Sequence, residues 1–246
     1  MLDGVSETLC QGEVVVIMGE NGSGKTTLIE AFAGLIPLRS GDVIWAENGN
    51  SIVVRDSQGR RNQPPSMGLT LQKGGVCGDE TVMERISVSL SVAGIEHSDD
   101  QIMELLSLWG LEHRANDRLA HLSGGLSRRV AILGGLAPAA LSNSPLVVLL
   151  DEPSEGLDDS AKDILSSWIR SLSSRNHAIL IATHDKDISS TADRVLTIRD
   201  GSIEEQIGKS LGDICNLPQS GERGNKNPVS SLVKWSVKME VRNPIE

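Results

Sequence analysis

The chain has 246 residues, which is long enough to bury a sizeable core as one large domain. Hydrophobic residues make up 39% of it, and no run approaches the roughly 20 apolar residues that span a bilayer. The formal net charge of −10 argues against a general nucleic-acid partner, because contact with phosphates requires a basic surface.

Strands and helices alternate in the first part of the chain. A β-branched run, Val14–Met18, predicts a strand that ends at a glycine-rich turn, and a helix is predicted over residues 25–34. A second strand is expected around Asp42–Trp45. The polar residues 47–66 predict a hairpin or a loop.

The middle of the chain changes to a helical pattern before the strands return. Apolar residues recur at three- and four-residue spacing over 81–119, which predicts a helical segment inserted into the core. Strands are predicted at 146–150 and 178–182, on either side of an amphipathic segment at 160–172, and a hairpin is predicted at 195–203. This alternation predicts an α/β fold with a mostly parallel sheet.

The segment Gly19–Thr26 matches the P-loop pattern G-x-x-x-x-G-K-[ST] in full, between a predicted strand and a predicted helix. Glycines allow the backbone N–H groups to surround phosphates, and the helix N-terminus adds positive potential. Lys25 is expected to neutralise the phosphates and Thr26 to bind Mg²⁺. The predicted ATP-binding residues here are Gly19, Asn21, Gly22, Ser23, Gly24, Lys25, Thr26 and Thr27.

Two carboxylates, Asp151 and Glu152, directly follow the apolar run 146–150. The carboxyl ends of parallel strands form the ligand-binding edge of open α/β sheets. Asp151 is therefore expected to join the Mg²⁺ shell through water. Glu152 is expected to orient or deprotonate the attacking water.

A second anion-binding pattern follows at Ser123-Gly124-Gly125, where Ser123 is expected to cap a helix. A single nucleotide does not need two helix-N-terminal phosphate sites. The pattern therefore predicts a composite site, completed by a second copy of the chain or by a paralogue.

Over roughly residues 4–205 the chain resembles the ATP-binding subunits of ABC transporters. Six motifs occur in that family's order: the P-loop at 19–26, the Q-loop at Gln72, the signature at 122–126, the Walker B segment at 149–153, the D-loop at 155–158 and the switch histidine, His184. The resemblance implies a P-loop NTPase core with an N-terminal antiparallel β subdomain and an inserted helical subdomain.

The same resemblance implies a role for each motif residue. Gln72 would bind Mg²⁺ with Thr26 and Asp151 and would sense the γ-phosphate, and His184 would hydrogen-bond that phosphate. Ser123, Gly124 and Gly125 would bind ATP held by the opposite subunit, and Asp158 would lie at the dimer seam. The implied catalytic residues are Glu152, His184 and Gln72.

The sequence departs from the family's pattern in two places. No aromatic residue among the 18 residues before Gly19 could stack on adenine, so either adenine is held loosely or the natural chain starts before Met1. Leu126 stands where the signature usually has Gln, and a modest effect is expected.

The sequence predicts an ATPase, with ATP and Mg²⁺ as its cofactors. It would power a separate transmembrane permease by ATP-driven dimerisation with a second ABC ATPase subunit, identical or paralogous. The chain would lie in the cytoplasm, bound to the inner face of the membrane through the permease. The alternative is a soluble ABC ATPase that acts as an iron–sulfur assembly factor. An inactive paralogue is disfavoured, because the catalytic residues are present.

The ATPase domain is predicted to span residues 1–207, followed by a polar linker and basic tail over 208–246. Residues 233–241 alternate apolar and polar, which predicts a strand. As a helix, the same stretch would instead be amphipathic and basic. It would then resemble the start of exporter permeases of the haem-exporter kind, so the haem-exporter and multidrug exporter groups are the subgroups considered.

Overall fold

The computed structural model describes residues 5–47, 50–72, 78–199 and 201–218, and the backbone of the strand 237–239. Its strands are β1 (Val5–Glu7), β2 (Val14–Gly19), β3 (Asp42–Glu47), β4 (Asn50–Asp56), β5 (Met67–Thr70), β6 (Val147–Asp151), β7 (Ala178–Ala182), β8 (Arg194–Arg199), β9 (Ser202–Ile207) and β10 (Val237–Met239). Its helices are α1 (Lys25–Phe32), α2 (Val82–Val92), α3 (Asp99–Leu108), α4 (Gly124–Leu141), α5 (Asp159–Ser174) and α6 (Lys186–Ser189). Two short 3₁₀ helices lie at Glu112–Arg114 and Leu119–His121.

The central sheet has six strands in the order β5-β6-β7-β2-β8-β9, all parallel except the β8–β9 hairpin. The predicted mostly parallel sheet is therefore confirmed. Alternate residues of each strand face opposite sides. One face packs beneath α4, α5 and the helical segment, and the other beneath α1 and the second sheet. Since Ala182 pairs with both Ile17 and Asp151, the carboxyl ends of β2, β6 and β7 lie side by side.

The second sheet is antiparallel, in the order β1-β10-β3-β4. Strand β10, from the end of the chain, pairs with β1 and contacts β3 through Val237 and Val43. The strand interpretation of the tail therefore holds for Val237–Met239, and the helix interpretation does not. The tail residues Lys234, Trp235 and Arg242 lie outside the described residues.

The predicted helical segment consists of α2 and α3. Both helices begin with a capping box, in which a hydroxyl and a side chain three residues later bond to each other's backbone N–H. The rings of Trp109 and of Trp168 on α5 form a T-shaped pair, with ring centroids 5.6 Å apart. This contact fixes the helical segment to the core. None of the helices in the described residues is long and apolar enough to cross a membrane.

Strand β5 was missed by the sequence analysis, because it is only four residues long and contains a glycine. Its glycine has a packing role. A Cβ atom on Gly68 would lie 2.1 Å from the carbonyl oxygen of Gly135, and a Cβ on Gly135 would lie 2.0 Å from Thr70 Oγ1. The two glycines therefore allow α4 to pack directly on β5, next to the Gln72 segment.

Residues 209–218 pack against α5. Ser171 Oγ accepts a hydrogen bond from the Cys215 N–H at 2.8 Å, and Arg175 donates to the Leu217 carbonyl oxygen at 2.7 Å. Leu217 is buried. These contacts join the start of the predicted linker to the core, so the division of the chain at residue 207 stays a prediction.

Candidate active site

The P-loop forms a tight connection between β2 and α1. Gly22 and Gly24 have φ angles of 81° and 106°, in the region that side chains with a Cβ rarely adopt. The buried Lys25 Nζ donates to the Gly19 and Glu20 carbonyl oxygens at 2.9 and 3.2 Å and lies 3.5 Å from Glu152 Oε1. The loop therefore directs a positive charge and a helix N-terminus at the same space.

Asp151 occupies the last position of β6 and is completely buried. Its Oδ2 accepts a hydrogen bond from Thr26 Oγ1 at 2.8 Å, but among the described residues its Oδ1 has no hydrogen-bond partner. Burial raises the pKa of Asp151, and the neighbouring charge of Glu152 raises this pKa further, against the hydrogen bond from Thr26. A cation at this position would offset the cost of that buried carboxylate.

Glu152 lies between Lys25 and His184. The nearest approach of His184 is through Nδ1, 2.9 Å from Glu152 Oε2. The Glu152 backbone is in the left-handed region with φ of 46°, and its N–H donates to the Ala182 carbonyl oxygen at 2.7 Å. The carboxylate thus faces the P-loop from a strained turn that the neighbouring strand helps to hold.

A cavity of about 320 Å³ lies at this edge of the sheet. It is lined by Asn21, Gly22, Gly24, Lys25, Thr26, Thr27, Gln72 and Glu152. The Gln72 amide donates to Glu155 Oε2 at 3.0 Å. A wider cleft of about 920 Å³ adjoins the other side of the P-loop and is lined by Gly19, Ser23 and His184 together with residues of the β8–β9 hairpin. Among the described residues, neither lining includes a Phe, Trp or Tyr side chain.

The signature segment lies apart from these two cavities. Ser123 caps α4 as predicted, since its Oγ accepts a hydrogen bond from the Leu126 N–H. Ser123, Gly124 and Gly125 are exposed and line neither cavity. The structure therefore brings the P-loop, Walker B, Gln72 and His184 residues together and leaves the signature outside.

Asp158 caps α5 by accepting a hydrogen bond from the Ala161 N–H. One guanidinium nitrogen of Arg129 donates to both carboxylate oxygens of Asp158, at 2.8 Å to Oδ1 and 2.7 Å to Oδ2. The bond from Ala161 and then the bond from Arg129 lower the pKa of Asp158. Within one chain, Asp158 therefore connects the D-loop to α4.

Arg128, the other arginine of the signature segment, is not among the site residues predicted from the sequence. Its guanidinium donates to the carbonyl oxygens of the Gln72 segment and of the Asp151–Glu152 turn. No sequence pattern indicates such a role, because main-chain carbonyls are present at every residue.

Comparison with known families agrees with this site. The model of the family described as "ABC transporter" matches residues 2–155, more than half of the chain. The chain belongs to the ABC transporter family. It is an ATP-binding, ATP-hydrolysing cassette of that family, with the fold that the resemblance implied.

Several relatives of this ABC cassette are proteins of similar length. It is 34% identical to the putative hemin import ATP-binding protein HrtA of Staphylococcus haemolyticus, over 83% of the chain and 90% of the relative. It is 32% identical to the lipoprotein-releasing system ATP-binding protein LolD of Granulibacter bethesdensis, over 82% of the chain and 87% of the relative. The macrolide export ATP-binding/permease protein MacB of Psychrobacter cryohalolentis is also 32% identical over 82% of the chain, but the match spans only 30% of that longer protein.

Solved structures show the same fold for this ABC cassette. The post-hydrolysis dimer of the ATP-binding cassette MJ0796, bound to ADP and phosphate, superimposes with a TM-score of 0.69 at 22% identity, over 84% of this chain and 97% of that one. A second ATP-binding subunit of an ABC transporter gives a TM-score of 0.67 at 22% identity, over 81% and 80% of the two chains.

Proposed function

We propose that this ABC ATPase powers a separate transmembrane permease by closing on ATP together with a second cassette and opening after hydrolysis. One observation carries the proposal. On the P-loop side, the chain brings the buried Lys25, Asp151 and Glu152 together at one cavity, whereas the signature helix end is exposed and lines neither cavity. Two such chains facing each other would complete two sites.

ATP would bind with its phosphates in the P-loop, next to Lys25 and the N-terminus of α1. The unpartnered Oδ1 of Asp151 and the hydroxyl of Thr26 suit a hard cation that prefers oxygen ligands and keeps several waters. Mg²⁺ would thus be held by Thr26, Asp151 and Gln72, and when bound it would neutralise charge on the phosphate oxygens. Gln72 would bind the cation through its amide oxygen, whereas its amide nitrogen donates to Glu155.

Glu152 would act as the base for hydrolysis. Its carboxylate would orient a water and accept its proton while the water oxygen attacks the γ-phosphorus. The bond from the γ-phosphorus to the β–γ bridging oxygen breaks, and ADP and phosphate are the products. His184 lies within hydrogen-bond distance of Glu152 and would hold the geometry of the water and the γ-phosphate.

The signature residues Ser123, Gly124 and Gly125 would bind the γ-phosphate of the ATP in the opposite cassette. Backbone N–H groups at a helix N-terminus favour an anion, so two γ-phosphates would bridge the two chains. Loss of the γ-phosphate removes the bridge and the dimer opens. Asp158, next to this helix, would lie at the seam between the two sites.

The permease would dock on the helical segment near Gln72. Two apolar side chains on α2 are exposed, Val88 at 41% and Val92 at 84%, and lie one helical turn apart. The relatives have transport names, which favours a permease over the alternative of an iron–sulfur assembly factor. A permease would place this chain at the cytoplasmic face of a membrane.

Substitution of the proposed base tests the hydrolysis step. Glu152→Gln should lower kcat by about 10² to 10⁴-fold, the range for loss of a general base, while ATP binding is kept. The exposed Glu112→Gln is the matched control and should hydrolyse ATP at the rate of the unaltered chain. Unimpaired hydrolysis by Glu152→Gln would contradict the assignment.

Co-purification tests the partner. A tagged Glu152→Gln chain with ATP in a detergent extract should retain an integral membrane protein, and Val92→Asp should reduce the amount retained without changing basal ATPase activity. If only water-soluble proteins are retained with the tagged chain, the result would contradict the proposal of a permease partner and support the assembly-factor alternative.

A further inference from the structure

Arg128 connects two parts of the active site through a single side chain. One guanidinium nitrogen donates to the Leu71 and Gln72 carbonyl oxygens, both at 3.3 Å. The other donates to the Asp151 and Glu152 carbonyl oxygens, at 3.2 and 2.6 Å. A planar group with donors in a fixed fork suits this task, because it holds several acceptors at set positions.

The shortest of these contacts, at 2.6 Å, is to the carbonyl oxygen of Glu152, whose backbone is strained. Glu152 has φ of 46° and precedes Pro153, whereas a residue before proline prefers an extended backbone. Such conformations are strained and persist only where surrounding contacts hold them. Here Ala182 holds the N–H of Glu152, and Arg128 holds its carbonyl oxygen. Arg128 therefore fixes the direction in which the Glu152 carboxylate leaves the backbone.

Arg128 also lies one helical turn after the exposed signature residues. Its Cα belongs to α4, whose N-terminus is capped by Ser123. A shift of α4 would thus move the guanidinium and, with it, the Glu152 turn. The same contact would pass that shift to the Gln72 segment.

We propose that Arg128 is a positioning residue for ATP hydrolysis, which holds the Glu152 turn and the Gln72 segment in place and couples both to the signature helix. This proposal depends on the proposed role of Glu152 as the base. Arg128 reaches main-chain oxygens of this chain and acts on the reaction only through Glu152 and Gln72.

The test compares Arg128→Met and Arg128→Lys with a matched arginine. Arg175 also donates to main-chain carbonyl oxygens, of Ala140, Leu217 and Pro218, but next to the amino end of β7 rather than at the active-site edge. Arg175→Met thus removes the same kind of contact elsewhere. We measure kcat, KM for ATP and Tm for each variant.

Arg128→Met should lower kcat about 10- to 100-fold and change KM by less than about threefold, because phosphate binding by Lys25 is untouched. Arg128→Lys should recover only part of the rate, since one ammonium group cannot reach both pairs of carbonyls. Arg175→Met should lower Tm but keep kcat. If both Arg128 variants have the same kcat as Arg175→Met, the proposal is overturned. If Arg128→Met does not fold, the kcat of Arg128→Lys is compared with that of Arg175→Met, and equal values overturn the proposal.

Glu152→Gln, measured beside them, separates this proposal from the one on which it depends. If Glu152→Gln is inactive while the Arg128 variants hydrolyse ATP normally, only the positioning role fails. If Glu152→Gln keeps full activity, the assignment of the base fails, and the positioning role fails with it.

Discussion

The P-loop edge and the signature helix end are the two proposed phosphate sites of the chain, and they differ in burial and in the groups that they contact. At the P-loop edge, the Lys25 side chain is only 7% exposed and is bonded to its own loop and to Glu152. At the signature, Ser123 and its two glycines are exposed, and none of them lines a cavity. The P-loop residues therefore contact the catalytic carboxylate of their own chain, whereas the signature residues line no cavity of the chain that carries them.

This difference suggests how hydrolysis can be coupled to movement. A phosphate site that is already formed binds nucleotide in a single chain, whereas an exposed helix end gains a ligand only when a second chain approaches. The contacts of Arg128 and Arg129 connect the exposed end to the Walker B turn and the D-loop. Lys25→Ala and Ser123→Ala each alter one of these two regions, and His177→Gln alters neither.

The largest effect on ATP binding is expected from Lys25→Ala. This variant removes the buried positive charge of the P-loop and leaves Glu152 without its cation. ATP affinity should fall by about 100-fold or more, which corresponds to about 2.7 kcal/mol. Titration calorimetry measures it, with the exposed Lys209→Ala as the control. Unchanged affinity in Lys25→Ala would contradict the role of the loop.

A smaller effect, on turnover but not on binding, is expected from Ser123→Ala. The variant should bind ATP as a single chain with unchanged affinity, but kcat should fall about tenfold or more, because a phosphate ligand of the opposite site is lost. Ser98→Ala is the control for the lost helix cap, which costs about 1 kcal/mol in either helix. Equal kcat values for the two variants would mean that Ser123 only caps its helix.

Substitution of His177 is expected to change the pH dependence of the free energy of unfolding and to leave ATP hydrolysis unchanged. Burial, and next the charge of Arg175, lowers the pKa of His177 to about 4, and its Nδ1 accepts a hydrogen bond from the Leu146 N–H. The unfolded chain binds this proton near pH 6.5, so the stability contribution is complete above that pH and is lost as the pH falls towards 4. The total contribution is about 3 kcal/mol, of which about 2 kcal/mol is lost between pH 7 and pH 5.

Urea unfolding at both pH values measures this loss. The His177→Gln variant should show a smaller loss of stability between pH 7 and pH 5 than the unaltered chain, and both should hydrolyse ATP equally at pH 7. An identical pH dependence in the two proteins would show that His177 does not contribute.

The sequence predicts the parts of the site that depend on local chemistry. The P-loop, the Asp151–Glu152 pair and the cap of α4 each need particular residue types at fixed short spacing, so they are visible in the chain itself. The parallel sheet follows from the alternation of strands and helices.

The rest depends on contacts between distant segments. Arg128 binds carbonyl oxygens 56 and 24 residues away, and main-chain acceptors leave no pattern in the sequence. Strand β5 is defined by its pairing with β6, and its packing under α4 depends on the close approach of Gly68 to Gly135. Strand β10 lies between β1 and β3, so it connects the two ends of the chain. The alternation of apolar and polar residues in the tail predicts a strand but does not specify which strands it pairs with.

The most direct test of the account measures mass by light scattering in the presence of ATP. The Glu152→Gln chain should elute with twice the mass of a single chain, because its γ-phosphates are not hydrolysed and bridge two copies. Glu152→Gln with Ser123→Arg should bind ATP equally well but elute as a single chain, since the added side chain blocks the signature helix end. A dimer of unchanged stability in the double variant would contradict the composite site, as would a single chain in both variants when a paralogous cassette is also supplied.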